Sequence, residues 1–341
     1  MDTPFTHFDE PLVFHILQHP SLATGGVGRT RSARDAEPRH RGGCPLEPLR
    51  SLIFSPGNRH DLVAKAVKSG ADAVIVDLED AVPADSKPKT REMLADLPSS
   101  QVPLYVRTND PTTPWFWRDV VAAARANVAG IVVPKAEDAD VMRQIDGALT
   151  AIEVDRGLEP GTLDVIPLME SAKGVFDAHA VLSSADRIRG LLFGSGEQGD
   201  LVVDLGVEWT PDGAGLLMAR SQVVLAARVA QVQPLDAVFM DFRNDEALRT
   251  ECELARRVGY EGKTAIHPAQ VPIINDVFTP SDEEVAHQQH IVDAFETALK
   301  EGSASINVDG KMVDYAVARV ARSVLARAEA ARRAAARTAD A

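Results

Sequence analysis

Between residues 51 and 268 the chain repeats one pattern of apolar and polar positions. A short apolar run, rich in β-branched residues, ends in a polar residue, and a segment with helix-like spacing follows, as at 59–70 and 246–259. The eight runs are SLIFSPG (51–57), AVIVDLED (73–80), LYVRTN (104–109), GIVVPK (130–135), DVIPLME (164–170), GLLFGS (190–195), AVFMDF (237–242) and KTAIHP (263–268). Because the runs are continuously apolar rather than alternating, they predict strands buried on both faces, as in a parallel sheet.

Eight such units in about 220 residues match the repeat number and size of a (β/α)8 TIM barrel. An open, doubly wound α/β sheet is the alternative. No G-x-G-x-x-G motif follows the first run, which weakens a dinucleotide-binding version of that sheet. The sequence therefore predicts a TIM barrel over residues 46–280.

The two ends of the chain depart from the repeat. Residues 1–45 are predicted to form a flexible arm, since 24–43 is rich in Gly, Arg and Ser and lacks apolar periodicity. Asp2, Asp9 and Glu10 argue against a secretory signal peptide, and also against the alternative of a transit peptide. Residues 281–341 are predicted to be a helical extension.

Polar residues at the ends of the runs are the candidate functional residues. The carboxyl ends of barrel strands meet at one mouth, where active sites lie, so these side chains are expected to face one another. They are Arg59, Glu79, Asp80, Arg107, Lys135, Glu170, Asp200, Asp241 and His267. For any one of them, an ordinary loop residue or salt bridge is the alternative.

Charge and composition narrow the classes of partner. The net charge of −14 argues against nucleic acid as a main partner, because phosphate binding favours a basic surface. No apolar run approaches the length of a membrane span. Cys44 and Cys252, the two cysteines, are too few for a disulfide framework and lack metal-ligand spacing, which favours unpaired thiols in a reducing, cytoplasmic compartment.

Several acids and few histidines at one mouth favour a cation that prefers oxygen ligands. Mg²⁺ is commonly held by one or two carboxylates plus water and substrate oxygens, whereas zinc would require His or Cys. The arginines suit a substrate carboxylate. A metal beside an arginine suits carbon–carbon cleavage or condensation, since the metal polarises a carbonyl and stabilises the developing oxyanion. Lys135 is the one lysine placed for a Schiff base, although a salt bridge is the commoner role.

Seven motifs occur in register along the chain: RSLIFSPGNR, GADAVIVDLEDAV, VRTND, VVPKAED, MESAKGV, DLVVDLG and GKTAIHPAQV. Together they closely resemble the citrate lyase β-subunit-like acyl-CoA lyases of the HpcH/HpaI aldolase family. TPWFWRDV (113–120) and DGKMVDYA (309–316) are most similar to the malyl-CoA, methylmalyl-CoA and citramalyl-CoA lyase branch. The resemblance covers about residues 48–326.

The resemblance implies a Mg²⁺-dependent TIM barrel that assembles as a homotrimer or hexamer. It also implies a reaction, cleavage of a 3-hydroxyacyl-CoA to acetyl-CoA or propionyl-CoA and a 2-oxo acid such as glyoxylate or pyruvate. The implied site residues are Glu170 and Asp200 as metal ligands, Arg107 for the oxo-acid oxygens, Phe54 and Arg59 near the thioester, Glu79 and Asp80 for metal-bound water and the arginines, and Asp314 as an acid/base supplied by a neighbouring subunit.

Asp314 has a simpler alternative role, because a carboxylate before a helix is also an expected capping residue. The barrel's own carboxylates are expected to be poor acid/bases, since metal-bound or arginine-paired carboxylates are held ionised.

One segment departs from the family pattern. FGSGEQGDLVVDLG (193–206) is three residues longer than the corresponding family motif, directly before Asp200. The insertion could re-aim Asp200 or let Glu197 compete for the metal. Malyl-CoA thioester hydrolysis, citryl-CoA cleavage, and a barrel that binds a CoA ester or a protein without turnover therefore stay open as alternatives.

Overall fold

The computed structural model describes residues 47–97 and 99–339 of the chain. The predicted arm over residues 1–45, including Cys44, lies outside these described residues. The barrel strands are β1 (Ser51–Pro56), β2 (Ala73–Asp77), β3 (Leu104–Arg107), β4 (Gly130–Val133), β5 (Asp164–Met169), β6 (Gly190–Phe193), β7 (Gln233–Asp236) and β8 (Gly262–Ala265).

Each strand pairs in parallel with the next, and β8 pairs with β1 to close the barrel. The register places Leu52 beside Ala73 and Ser51 beside Lys263. The predicted (β/α)8 TIM barrel is therefore confirmed, and the open sheet is excluded.

Helices cover the outside of the barrel and continue beyond it. They are α1 (His60–Val67), α2 (Lys87–Met93), α3 (Phe116–Ala123), α4 (Ala139–Asp155), α5 (Ala172–Phe176), α6 (Ala178–Leu182), α7 (Asp200–Leu205), α8 (Leu217–Ala230), α9 (Asp245–Val258), α10 (Gln270–Phe278), α11 (Asp282–Lys300) and α12 (Tyr315–Ala339). No helix within residues 47–97 and 99–339 is both long enough and apolar enough to cross a membrane.

Two apolar layers explain why the strand sequences do not alternate. In β2, Ala73 and Ile75 belong to the cluster that fills the barrel, whereas Val74 and Val76 belong to the cluster between strands and helices. Both faces of the strand are buried, so every position is apolar until Asp77. The polar residues that follow lie at the mouth.

The predicted seventh strand is wrong. AVFMDF (237–242) forms a loop, and β7 is the less apolar segment Gln233–Asp236, so Asp241 lies past the strand rather than at its end. The prediction located strands by their apolar content, but β7 contains two polar residues, Gln233 and Asp236, which are buried with polar partners. Gln233 bonds to the backbone of Leu49 from both atoms of its amide group.

Asp236 belongs to a buried group of four charges, which we call the β7–β8 cluster (Arg220, Asp236, Glu251 and Lys263). Lys263 Nζ lies 2.7 Å from a carboxylate oxygen of each of the two acids. Arg220 pairs with the same acids at 3.2 and 3.1 Å. Two cations and two carboxylates thus satisfy one another without solvent. The neighbouring thiol of Cys252 is unpaired, and burial raises its pKa to about 12.

The chain beyond the barrel forms its own small core. Helix α11 packs against α12, and a short hairpin of β9 (Ile306–Val308) and β10 (Lys311–Val313) joins them. Phe295 and Val313 are buried in this core. The predicted helical extension is therefore present, with a hairpin that the helical pattern did not indicate.

Candidate active site

A cavity of about 840 Å³ opens at the carboxyl ends of the strands. Its walls combine charged and small residues with apolar side chains. Among the lining residues are Phe54, Asp77, Asp80, Arg107, Glu170, Glu197 and Asp200. The barrel therefore brings most of the predicted site residues to one mouth.

Asp77, the last residue of β2, is the first of the three acids in the DLED segment, and its contacts show a structural role. Its two carboxylate oxygens accept hydrogen bonds from Arg107 Nε at 2.7 Å and Arg107 Nη2 at 2.6 Å. The same carboxylate accepts the backbone N–H groups of Glu79 and Ala81, at 2.8 and 3.1 Å. Asp77 thus fixes both the turn and the guanidinium plane. The sequence prediction included Asp77 only as a member of the acid run and gave it no role.

The remaining guanidinium nitrogen of Arg107 meets the other two acids. Nη1 lies 3.1 Å from Glu79 and 3.2 Å from Asp80, and the guanidinium carbon lies 5.1 Å from the centre of the Phe54 ring. Burial would lower the pKa of Arg107, but the hydrogen bonds and charge of Asp77, together with the charges of Glu79 and Asp80, outweigh burial and raise it. The arginine is therefore a permanent cation within a group of acids.

Glu79 does not behave as the sequence predicted for an arginine-paired acid. Burial, together with the charges of Asp80 and Glu170, outweighs the effect of Arg107 and raises the pKa of Glu79 to about 8. The expectation that the barrel's carboxylates are all held ionised is therefore wrong for this residue. The single positive charge of Arg107 does not neutralise Glu79 together with the nearby carboxylates of Asp77, Asp80 and Glu170.

Lys87 stabilises the loop that carries Glu79 and Asp80. The sequence analysis did not identify this residue. Its ammonium donates to the carbonyls of Leu78 and Glu79, at 3.0 and 2.7 Å, and to Asn109 Oδ1 at 2.6 Å. It also lies 5.3 Å from the centre of the Trp115 ring. All three N–H bonds are used inside the protein, which fixes the loop that carries Glu79. No pattern around Lys87 marks it in the sequence.

Glu170 follows β5 and points into the cavity. Its Oε1 accepts the backbone N–H of Lys135 at 2.9 Å. Burial, with the charges of Asp200 and Asp80, raises the pKa of Glu170 to about 7. Arg107 pairs with the DLED acids rather than with Glu170. A salt bridge to Arg107 is therefore not what holds this carboxylate.

Gly194, after β6, makes room for Glu170. A Cβ atom at Gly194 would lie 2.5 Å from the Cβ of Glu170, closer than two non-bonded carbon atoms can approach. Only glycine fits without moving the carboxylate.

The longer segment before Asp200 forms a turn at the rim, closed by a hydrogen bond from Gly199 N–H to Gly196 O at 3.0 Å. Asp200 is the first residue of α7, and its Oδ2 lies 2.9 Å from Lys135 Nζ. Glu197 also lines the mouth, as well as a neighbouring cavity of about 520 Å³. Both acids therefore face the cavity, and competition between Glu197 and Asp200 stays an open alternative.

Arg59, Asp241, His267 and Asp314 are not among the residues that line the cavity at the mouth. Arg59 is exposed and pairs with Asp61 at 2.8 Å. Asp314 caps α12, accepting the backbone N–H groups of the second and third helical residues at 2.9 and 3.0 Å. His267 stacks on Phe242 at 4.6 Å between ring centres, and Asp241 lies in the loop after β7. Within one chain, the binding role of Arg59 and the catalytic role of Asp314 stay predictions.

The described parts of the chain contain no group of three or more His, Cys, Asp or Glu residues arranged to hold a metal ion. Glu170 and Asp200 both line the cavity, and each contacts Lys135. Two carboxylates suffice for Mg²⁺, which usually keeps several waters.

Residues 50–268 match the family described as HpcH/HpaI aldolase/citrate lyase. The chain belongs to this family. Residues 218–331 also match a family of carbon–carbon bond lyases with the TIM-barrel fold. The predicted family and its lyase chemistry are thereby confirmed.

Relatives with assigned functions span nearly the same length. The citrate lyase subunit beta of Leuconostoc mesenteroides subsp. cremoris is 34% identical, over 82% of this chain and 93% of the relative. A (3S)-malyl-CoA thioesterase of Cereibacter sphaeroides (strain KD131) is 36% identical, over 83% of this chain and 95% of the relative. The family thus contains both lyases and a thioesterase.

Solved structures show which ligands similar barrels bind. CitE from Mycobacterium tuberculosis in complex with magnesium, acetoacetate and coenzyme A has a TM-score of 0.66 and 29% identity, covering 83% of this chain and all of that one. A citrate lyase beta subunit from the same organism, complexed with oxaloacetate and magnesium, has a TM-score of 0.55 and 31% identity, covering 70% and 99%. The predicted magnesium cofactor agrees with both structures.

Proposed function

We propose that this protein is a Mg²⁺-dependent acyl-CoA lyase. It cleaves a 3-hydroxyacyl-CoA, such as malyl-CoA, methylmalyl-CoA or citramalyl-CoA, to acetyl-CoA or propionyl-CoA and a 2-oxo acid, or it catalyses the reverse condensation. The observation that carries the proposal is the excess of carboxylates at the mouth. Six acids, Asp77, Glu79, Asp80, Glu170, Glu197 and Asp200, lie in or beside the cavity, and the cations that pair with them are Arg107 and Lys135.

Glu170 and Asp200 are the residues proposed to hold the metal. Both offer oxygen ligands to one cavity, and the raised pKa of Glu170 reflects a buried carboxylate without a sufficient cation of its own. When bound, Mg²⁺ would polarise the oxo-acid carbonyl and stabilise the oxyanion that develops there.

Arg107 is proposed to bind the oxo-acid oxygens. The two hydrogen bonds from Arg107 to Asp77 fix the guanidinium plane. The contact between Arg107 and Asp80 is the one that a substrate can replace. The Asp80 side chain is 80% exposed, so this ion pair contributes little stability and can give way to a substrate carboxylate. Glu79 and Asp80 would then hold water and the arginine, with Phe54 and Arg59 toward the thioester.

Cleavage breaks the bond between the CoA-side α-carbon and the carbinol carbon. The hydroxyl gives up its proton to the water that Glu79 and Asp80 would hold as it becomes the oxo-acid carbonyl, and the bonding electron pair moves to the α-carbon as an enolate. An acid must then protonate that carbon. Asp314 is proposed to be this acid, supplied by a neighbouring subunit of a homotrimer or hexamer.

The surface around Asp314 supports an assembly with a second copy of the chain. Met312, Tyr315 and Val320 are each more than 60% exposed on the hairpin and the first turns of α12. Large apolar side chains clustered on a surface favour a protein partner. An interface here would bring Asp314 to another barrel.

A mixing experiment tests this role of Asp314. Asp314→Asn removes the charge while Asn still caps the helix, so the variant should fold normally and lose activity. When it is refolded with inactive Glu170→Gln subunits, hybrid oligomers should regain part of the activity. If hybrids form without any recovery, Asp314 serves its own barrel or only caps the helix.

A substrate panel tests the function itself. Malyl-, methylmalyl-, citramalyl- and citryl-CoA are supplied with Mg²⁺ or with EDTA, and free CoA, acyl-CoA and the oxo acid are measured separately. A lyase forms the shorter acyl-CoA and the oxo acid in equal amounts and only with Mg²⁺. Free CoA without an oxo acid would instead support thioester hydrolysis, the second candidate, which the Cereibacter relative favours.

Binding of these esters without turnover would indicate a barrel that only binds a CoA ester. A cytoplasmic location, predicted from the cysteine content, stays a prediction.

A further inference from the structure

Lys135 adopts a backbone conformation that side chains rarely take. It follows β4 with a φ of 46°, in the left-handed region where glycine is favoured. In this conformation its N–H donates to Glu170 Oε1 at 2.9 Å. Glycine could make the same bond with less strain, so the backbone alone does not account for lysine here.

The side chain of Lys135 reaches the second acid of the proposed metal pair. Its Nζ lies 2.9 Å from Asp200 Oδ2. A lysine side chain is a cation at neutral pH, and Asp200 is the acid that this ammonium contacts. One residue therefore contacts Glu170 through its backbone and Asp200 through its cation.

A pair of this kind is easily broken. The side chains of Lys135 and Asp200 are 41% and 63% exposed, and exposed ion pairs contribute little stability. Lysine also carries its charge on a flexible four-carbon chain, which lets the ammonium move without the backbone. Mg²⁺ and the ammonium cannot both take the same lone pairs of Asp200.

We propose that Lys135 is a resident cation that pairs with Asp200 until Mg²⁺ binds, and then turns to the carboxylate of the incoming 2-oxo acid. The inference rests on the proposed function. It assigns Lys135 two linked effects of opposite sign: competition with the metal and attraction of the acid substrate. A lysine that only organised Asp200 would help the metal instead.

The test compares Lys135→Met with the wild-type chain. Calorimetric titration of the metal-free proteins with MgCl₂ should show a dissociation constant about fivefold lower in the variant, the scale of one exposed ion pair. In condensation assays at saturating Mg²⁺, KM for glyoxylate or pyruvate should rise about tenfold, the usual scale for losing a charged contact.

Three control variants isolate the ammonium. Lys135→Arg keeps a cation and should retain the wild-type dissociation constant for Mg²⁺. Lys135→Gly keeps the N–H bond to Glu170 without strain, and it replaces the Met variant if that protein does not fold. Lys173→Met removes an exposed lysine that pairs with Asp177, and it should change neither quantity.

Weaker or unchanged Mg²⁺ binding in Lys135→Met and Lys135→Gly would overturn the inference while leaving the proposed function intact. An unchanged KM for the oxo acid would overturn the second half of the inference. If the wild-type chain itself binds no Mg²⁺, the proposed function and the inference both fail.

Discussion

The charged side chains of the β7–β8 cluster and those at the mouth differ in charge balance. In the β7–β8 cluster two cations meet two carboxylates, and the pKa of Asp236 is lowered because Arg220 and Lys263 outweigh the effect of burial. At the mouth, six carboxylates outnumber the two cations, Arg107 and Lys135, and the pKa values of Glu79 and Glu170 rise to about 8 and 7.

The difference separates a structural polar group from a functional one. A balanced group needs nothing from outside, and removing one member leaves a buried charge without a partner. An unbalanced group favours binding of a further cation, and losing one acid relieves repulsion. Substitutions in the first should therefore affect stability, and substitutions in the second should affect activity.

The largest effect is expected in the β7–β8 cluster. Lys263→Met leaves Asp236 and Glu251 with only Arg220, so the free energy of unfolding should fall by about 3–5 kcal/mol, the usual cost of breaking a buried pair. Urea denaturation measures it. Lys173→Met, which removes an exposed pair, should leave the free energy of unfolding nearly unchanged. A similarly small loss in Lys263→Met would mean that the four charges do not depend on one another.

Glu170→Gln should show the opposite behaviour. Turnover that depends on Mg²⁺ should fall at least about a hundredfold, or about 2.7 kcal/mol in barrier, because a proposed metal ligand is lost. The melting temperature should be unchanged or higher, since the amide oxygen can still accept the N–H of Lys135. Full activity in this variant, or wild-type turnover in EDTA, would refute the metal assignment.

Glu153→Gln is the matched control for that substitution. Glu153 is fully buried and pairs with Arg187 at 2.9 Å. It is not among the residues that line the mouth. Its loss should lower stability and leave turnover per folded molecule unchanged.

Arg107→Lys is expected to have an intermediate effect on activity. Lysine keeps the charge but loses the planar fork that Asp77 holds, so kcat/KM should fall at least about tenfold, or about 1.4 kcal/mol. The loss should be largest in KM for the oxo acid if Arg107 binds its oxygens. Arg249→Lys, at an exposed pair with Asp276, serves as the control. Wild-type kinetics would make Arg107 a structural residue.

These two groups also show what the sequence could and could not predict. The mouth was predictable because Glu79, Arg107 and Glu170 directly follow continuous apolar runs, and the barrel brings strand ends together. The seventh strand was not, because Gln233 and Asp236 are buried with partners such as Leu49, Arg220 and Lys263, which lie far apart in the chain. Apolar content then favoured the loop that follows.

The same limit applies to the supports of the site. Lys87 and Lys135 look alike in sequence, yet one lies under the acid loop and the other at the rim. Only tertiary contacts distinguish them. Burial, which raises the pKa of Glu79, is likewise a property of the folded mouth rather than of the DLED segment.

The stability of the fold should also depend on pH, and Mg²⁺ should offset this dependence. A carboxyl has a pKa of about 4.3 in the unfolded chain, whereas the pKa values of Glu79 and Glu170 in the fold are about 8 and 7. Between these values the folded state binds more protons than the unfolded state. The free energy of unfolding should therefore fall as pH rises from about 4.3 to about 8, and then level off.

Melting temperatures at pH 5, 6, 7 and 8, in EDTA and in excess MgCl₂, measure this effect. The metal binds ionised carboxylates and stabilises the fold by mass action, so its benefit should be larger at pH 8 than at pH 6. Glu79→Gln should flatten the EDTA profile toward pH 8.

Asp164, whose pKa burial raises to about 6, also destabilises the fold as pH rises, but it starts β5 at the opposite end of the barrel. Its contribution should end near pH 6 and should not respond to Mg²⁺. An equal Mg²⁺ benefit at pH 6 and pH 8 would show that the acids at the mouth are already ionised, and the contrast with the β7–β8 cluster would then rest on geometry alone.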